Sequence, residues 1–74
     1  MTTKENAKTF TRVVNNEYFM SLIKEARRVK YQVTGEPNNF YKVLDGEELV
    51  FRGIFQGQFW ITTFSTLYWR NDAT

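Results

Sequence analysis

Asp45, Glu47 and Glu48 place three carboxylates within four residues, and carboxylate oxygens are the ligands that hard cations such as magnesium prefer. The spacing matches no EF-hand loop, however, and Asp45-Gly46 between two apolar runs is a hairpin-turn signal, so turn chemistry accounts for the cluster. Glu36, beside Pro37, reads as a loop residue in the same way. Nucleophilic catalysis lacks its parts: the chain has no cysteine and no histidine, and its serines are Ser21 and Ser65. Neither serine has the strand–turn–helix glycine context of a nucleophile elbow. A carboxylate pair needs a cleft that raises one of its pKa values before it does acid–base work, and a chain this short rarely builds one. Gly35, Gly46, Gly53 and Gly57 form neither GxGxxG nor a P-loop. Without thiolates or imidazoles, zinc and iron–sulfur sites lose their usual donors. The expectation is a protein that is not an enzyme and carries no metal or cofactor.

Binding chemistry is better represented. Lys24-Glu25-Ala26-Arg27-Arg28-Val29-Lys30 is the densest basic stretch, with four cations in seven residues. Cations at a helix C-terminus oppose the negative end of the dipole, which is the plain reading of Arg27 and Arg28, while contact with phosphate or an acidic partner is the functional one. Two Trp, four Tyr and seven Phe in 74 residues supply large contact surfaces, the side chains most enriched at binding hot spots.

These residues need a scaffold, and the chain can build only a small one. At 74 residues it forms one domain at most and hides only roughly 60% of the surface its unfolded form exposes. A composition 42% hydrophobic with a single proline is too apolar for a disordered tail. A net charge of +2 is too small to mark a dedicated duplex-DNA binder. The polar N-terminus does not resemble an export signal, and the longest apolar runs fall far short of the roughly 20 residues that span a bilayer. A cytoplasmic address without membrane attachment is expected.

Tyr18, Phe19, Leu22, Ile23 and Ala26 recur with helical spacing, which predicts one amphipathic helix from Asn15 or Asn16 to about Arg28, with Asn as N-cap. Phe10 to Val14 suits a short strand or an extra helical turn equally. From Val29 the period becomes two, predicting strands over 29–34, 40–44, 49–55 and 58–69 joined by short turns. The expected fold is α+β: an N-terminal amphipathic helix packed on a four-stranded antiparallel meander. Residues 1–9 are expected to form a polar arm, 10–70 the domain and 71–74 a tail.

Residues paired across antiparallel strands share a face. Pairing Leu44 with Glu47 or Leu49, and Phe55 with Gln58, gathers Phe40, Lys42, Leu44, Leu49, Phe51, Phe55, Trp60, Phe64 and Tyr68 on one face. The other takes Tyr41, Val43, Val50, Arg52, Ile54, Phe59, Ile61, Leu67 and Trp69. Pairing Thr34 with Phe40 puts Val29, Tyr31 and Val33 on the second face and Lys30, Gln32 and Thr34 on the first. The second is therefore expected to lie under the helix, with Arg52 snorkelling outward at its edge. Gly53, inside a strand, marks a bulge or makes room for an aromatic ring such as Trp60.

Three readings compete for the remaining aromatic face. It is internal core, because the sheet curls or the Phe10 to Val14 segment folds across it; or it packs on a second copy or another protein; or its rings stack on the bases of single-stranded nucleic acid. The expected function is a small accessory or regulatory protein, an inhibitor of the kind compact phage genomes encode, that binds another protein stoichiometrically or dimerises. Phe40, Phe51, Phe55, Trp60, Phe64 and Tyr68 would form that surface, steered by Lys30 and Lys42. The alternative is single-stranded nucleic-acid binding through Arg27, Arg28, Lys30, Lys42, Arg52 and Trp60. No small-molecule substrate is indicated.

Overall fold

The structure, a computed structural model, describes residues 8–70. The element order is β1 (Thr9–Asn15), α1 (Asn16–Arg28), β2 (Gln32–Glu36), β3 (Phe40–Asp45), β4 (Glu48–Gln56) and β5 (Phe59–Ser65). The class is α+β, with one helix and an antiparallel sheet of five strands rather than four, in the order β1-β5-β4-β3-β2. β2 to β5 form the expected meander. The extra strand is the Phe10–Val14 segment, which neither lengthens the helix nor folds across the sheet. It pairs beside β5, with Phe10 opposite Phe64 and Val14 opposite Trp60. Thr9 already belongs to it, and the Lys8 carbonyl accepts from Thr66 N–H, so the sheet starts earlier than the expected arm boundary. The rest of that arm, residues 1–7, and the tail at 71–74 lie outside the described residues.

Helix α1 starts with no loop. Asn15 ends β1 and caps the helix, its side-chain oxygen accepting from Tyr18 N–H at 2.7 Å, with Glu17 in the first turn and Arg27 and Arg28 in the last. The helix ends in a Schellman turn: Tyr31 N–H reaches the Ala26 carbonyl at 2.9 Å and Lys30 N–H the Arg27 carbonyl at 3.1 Å. Lys30 takes the left-handed conformation, φ 72°, that glycine usually fills there. This turn uses residues 29–31, which is why β2 begins at Gln32. Among the described residues, no helix is long and apolar enough to cross a membrane.

Phe19, Ile23 and Ala26, on one stripe of α1, are buried against Tyr41, Val43, Val50, Phe51, Trp60 and Phe64 of the sheet. Phe19 is the centre of this layer, stacked on Trp60 and edge-on to Phe51. The Trp60 indole N–H, fully buried as part of a side chain at 0% exposure, donates to Asn16 Oδ1 at 2.8 Å and so ties β5 to the first helical turn. β5 stops at Ser65, whose carbonyl accepts from Tyr68 N–H and Trp69 N–H. The chain then folds back, placing the Trp69 indole N–H on the Val50 carbonyl at 3.0 Å and the Tyr68 hydroxyl on Asp45 at 2.9 Å.

The sheet faces differ from the expected ones because of one residue. Leu44 does pair with Leu49, but Val43 pairs with Phe51, so the register shifts at this point and Val50 is the extra residue of a β-bulge. Beyond the bulge every residue of β4 and β5 exchanges faces relative to β3. Phe51, Gly53, Phe55, Trp60 and Phe64 thus join Tyr41 and Val43 under the helix. Arg52, Ile54, Phe59 and Ile61 turn to the other side.

Candidate interaction surface

Among the described residues, the helix covers one side of the sheet and the other side is open. Cross-strand pairing sorts the open side into rows. Val13 lies opposite Ile61, Ile61 opposite Ile54, and Ile54 opposite Phe40, so four apolar side chains form a line across β1, β5, β4 and β3. Their relative exposures are 64%, 39%, 54% and 43% in that order. Phe59, also exposed, stands one step further along β5 and pairs with Gln56. The adjoining row on the other side is polar: Thr11, Thr63, Arg52, Lys42 and Thr34 follow one another across all five strands.

Arg52 and Lys42 are direct neighbours in that row, both exposed, and neither forms an ion pair among the described residues. Like charges directly opposite on adjacent strands oppose sheet formation. Of the open-face strand positions, the one acidic residue is Glu36, paired with Phe40 at the β2 edge, where its carboxylate accepts from Asn39. The surface therefore combines an apolar line with a flanking cation pair whose charge the sheet itself does not answer.

Of the residues expected to form the contact surface, Phe40 and Lys42 stand on it. Trp60, Phe51 and Phe64 are buried beneath α1 and are corrected to core, since the Val50 bulge carries them to the helix side. Phe55 packs half-buried against Trp60, and Tyr68 lies half-buried beside Tyr31. Lys30 is exposed in the turn after the helix. In the nucleic-acid set, Arg52 joins Lys42 on the open face, but Arg27 and Arg28 lie on the helix, and Arg28 makes a bidentate pair with Glu25. That pair lowers the Glu25 pKa and raises that of Arg28 through the shared hydrogen bonds.

Ile54, Ile61 and Phe59 belong to the face the sequence pattern places under the helix, and that pattern gives Val13 no face. One signal for them was present: assigning Arg52 to the helix side asks a mid-strand guanidinium to face the core, and a single inserted residue in β4 removes that conflict.

Asp45 accepts from Tyr68, whose own pKa is pushed up to about 12 by burial and by the Asp45 carboxylate. No group of three or more acidic side chains that could hold a metal occurs among the described residues. A cavity of about 210 Å³ between α1 and the returning C-terminal segment is lined by Leu22, Ala26, Val29, Tyr31, Tyr68 and Trp69 among others. Its polar neighbours, Glu25 and the Tyr68 hydroxyl, are already bonded to Arg28 and Asp45. Comparison with protein-family models, curated proteins and solved structures found no match to this chain.

Proposed function

We propose that this is a small non-enzymatic binding protein that docks another protein on the open face of its sheet and acts as a stoichiometric accessory or inhibitor. The observation that carries this reading is the exposed Val13–Ile61–Ile54–Phe40 line. Contiguous apolar surface is rare on monomers unless a partner covers it, because its exposure to water forgoes the free energy of burial. Threonines and two cations beside the line match the polar margin that surrounds the apolar centre of protein interfaces.

The test compares wild-type protein with an Ile54→Ser/Ile61→Ser variant as bait in cells of the source organism. Both side chains already face solvent, so the variant is expected to keep the wild-type thermal transition while losing the co-purifying protein. A partner retained equally by both baits would place the contact elsewhere and sink the reading.

Single-stranded nucleic acid is the second reading, favoured by the position of Lys42 and Arg52 beside Phe40. It is weakened by the burial of Trp60 and by a line that is mainly branched aliphatic, since Val and Ile offer no π-face to a base. Oligonucleotide affinity that falls steeply with added salt is its distinguishing result.

A further inference from the structure

We infer that the partner presents carboxylates to the Lys42–Arg52 pair while its apolar side chains cover the Ile54–Ile61 line, so that this face reads an acidic protein surface. The inference rests on the docking role proposed for the open face and specifies the chemistry that face selects.

Charge complementarity decides among the possible occupants. Lys42 and Arg52 stand opposite one another without an ion pair among the described residues, next to the apolar line any partner must cover. A partner seated on Ile54 and Phe40 therefore removes water from two cations, and desolvated cations left unpaired are costly. Carboxylates at the same position replace that water and also relieve the cross-strand repulsion.

A second copy packed through this same face cannot supply them in sufficient number. Its open-face strands bring two more cations and a single carboxylate, Glu36, already engaged by Asn39 at the sheet edge. An anionic bilayer is a poor match because membrane-surface recognition by charge uses clusters of about four to eight basic residues, against two here. Phosphates of a single strand would satisfy the two cations, but the neighbouring Val13, Ile61 and Ile54 give its bases little to stack on.

The experiment titrates the isotope-labelled full chain with three short synthetic peptides that share one alternating apolar framework and carry Glu, Gln or Lys between the apolar residues. A short oligodeoxythymidylate and phosphatidylserine–phosphatidylcholine vesicles form two further arms. Amide and methyl shifts locate each contact. The Glu peptide is expected to shift Lys42, Arg52, Ile54 and Ile61 and to bind about tenfold more tightly than the Gln peptide. In a Lys42→Glu/Arg52→Glu variant the Lys peptide should become the tighter ligand. Dispersed spectra confirm that the variant is folded, and Lys42→Gln alone, which adds no negative charge, should lower Glu-peptide affinity part of the way.

Equal binding of the Glu and Gln peptides on this face overturns carboxylate recognition and leaves the docking role standing. Shifts confined to α1 or the C-terminal turn with every peptide overturn the docking role as well. Tighter binding of the oligonucleotide or the vesicles than of the Glu peptide, or no response to any probe, overturns the acidic-partner inference.

Discussion

Phe19 lies flat on Trp60, with ring centroids 4.0 Å apart and planes 7° from parallel, and Gly53 is what leaves room for it. Gly53 sits on the helix side of β4 between Tyr41 and Thr62, beneath the Phe19 ring. A Cβ at Gly53 would come within 2.5 Å of Phe19 Cε1. The helix approaches the sheet closely because one strand position there has no side chain.

Gly53→Ala should therefore destabilise the fold by about 1–3 kcal/mol, the usual cost of overpacking a filled core. Urea unfolding measures it. The penalty should shrink in a Phe19→Ala background, where the ring that clashes is gone, so a double-mutant cycle should show strong non-additivity. Equal penalties in both backgrounds would mean that the loss arises from β4 itself.

Trp60 is expected to matter for folding and not for binding. Trp60→Ala should cost about 3–5 kcal/mol, enough to leave a domain of this size largely unfolded. Asn16→Ala removes only the acceptor of the indole N–H and should cost about 1–3 kcal/mol, because the donor stays buried without a partner. Thermal unfolding followed by circular dichroism ranks the two. A stably folded Trp60→Ala protein would contradict the placement of Trp60 in the core.

Lys42→Glu converts a like-charge neighbour of Arg52 into an opposite-charge one. It should raise stability by about 0.2–1 kcal/mol, with the gain fading as salt screens the pair. A stability that is unchanged at low ionic strength would show that the two cations do not feel each other.

Lys30→Gly should stabilise the protein by about 1 kcal/mol, since φ 72° strains a residue with a Cβ and suits glycine. Lys30→Ala keeps the Cβ and should bring no gain, which separates backbone strain from loss of the charge near the helix end. Chemical denaturation of both variants supplies the comparison.

Alkaline stability should depend on Tyr68. Its hydroxyl, ordinarily losing its proton near pH 10, holds it to about pH 12 in the folded chain because of burial and the Asp45 carboxylate. Below pH 10 folded and unfolded chains are both protonated and the difference has no effect. Between pH 10 and about 12 the unfolded chain releases the proton while the folded one keeps it, so stability falls as pH rises through that window. Tyr68→Phe should flatten this decline in denaturant titrations carried out across the window.

Local chemistry was legible in the sequence wherever neighbours along the chain decide it. The Asn cap, the stripe of Phe19, Ile23 and Ala26, and the Gly46 and Gly57 turns with positive φ all follow from short-range rules. So did the parity of two hairpins. Thr34 was expected opposite Phe40 and Glu36 takes that place, while Phe55 was expected opposite Gln58 and pairs with Trp60. Each shift is by two residues, which keeps the two strands of each hairpin sharing faces as expected, although the β4–β5 hairpin as a whole is turned over relative to β3.

The sequence by itself determined a helix followed by a meander with two apolar faces, because periodicity, caps and turns are properties of consecutive residues. Which face became core was decided only by the tertiary structure. Val50 and Phe51 are both apolar, so nothing in their order marks the first as the extra residue of a bulge; the packing of Phe51 and Gly53 under Phe19 does. One inserted residue reverses a period of two, and that reversal buried Trp60 and Phe64 while turning Ile54, Ile61 and Arg52 outward. The fifth strand was settled in the same way: Phe10 to Val14 has no pattern that separates strand from helix, and only the free edge of β5, with Phe64 beside Phe10, selects the strand.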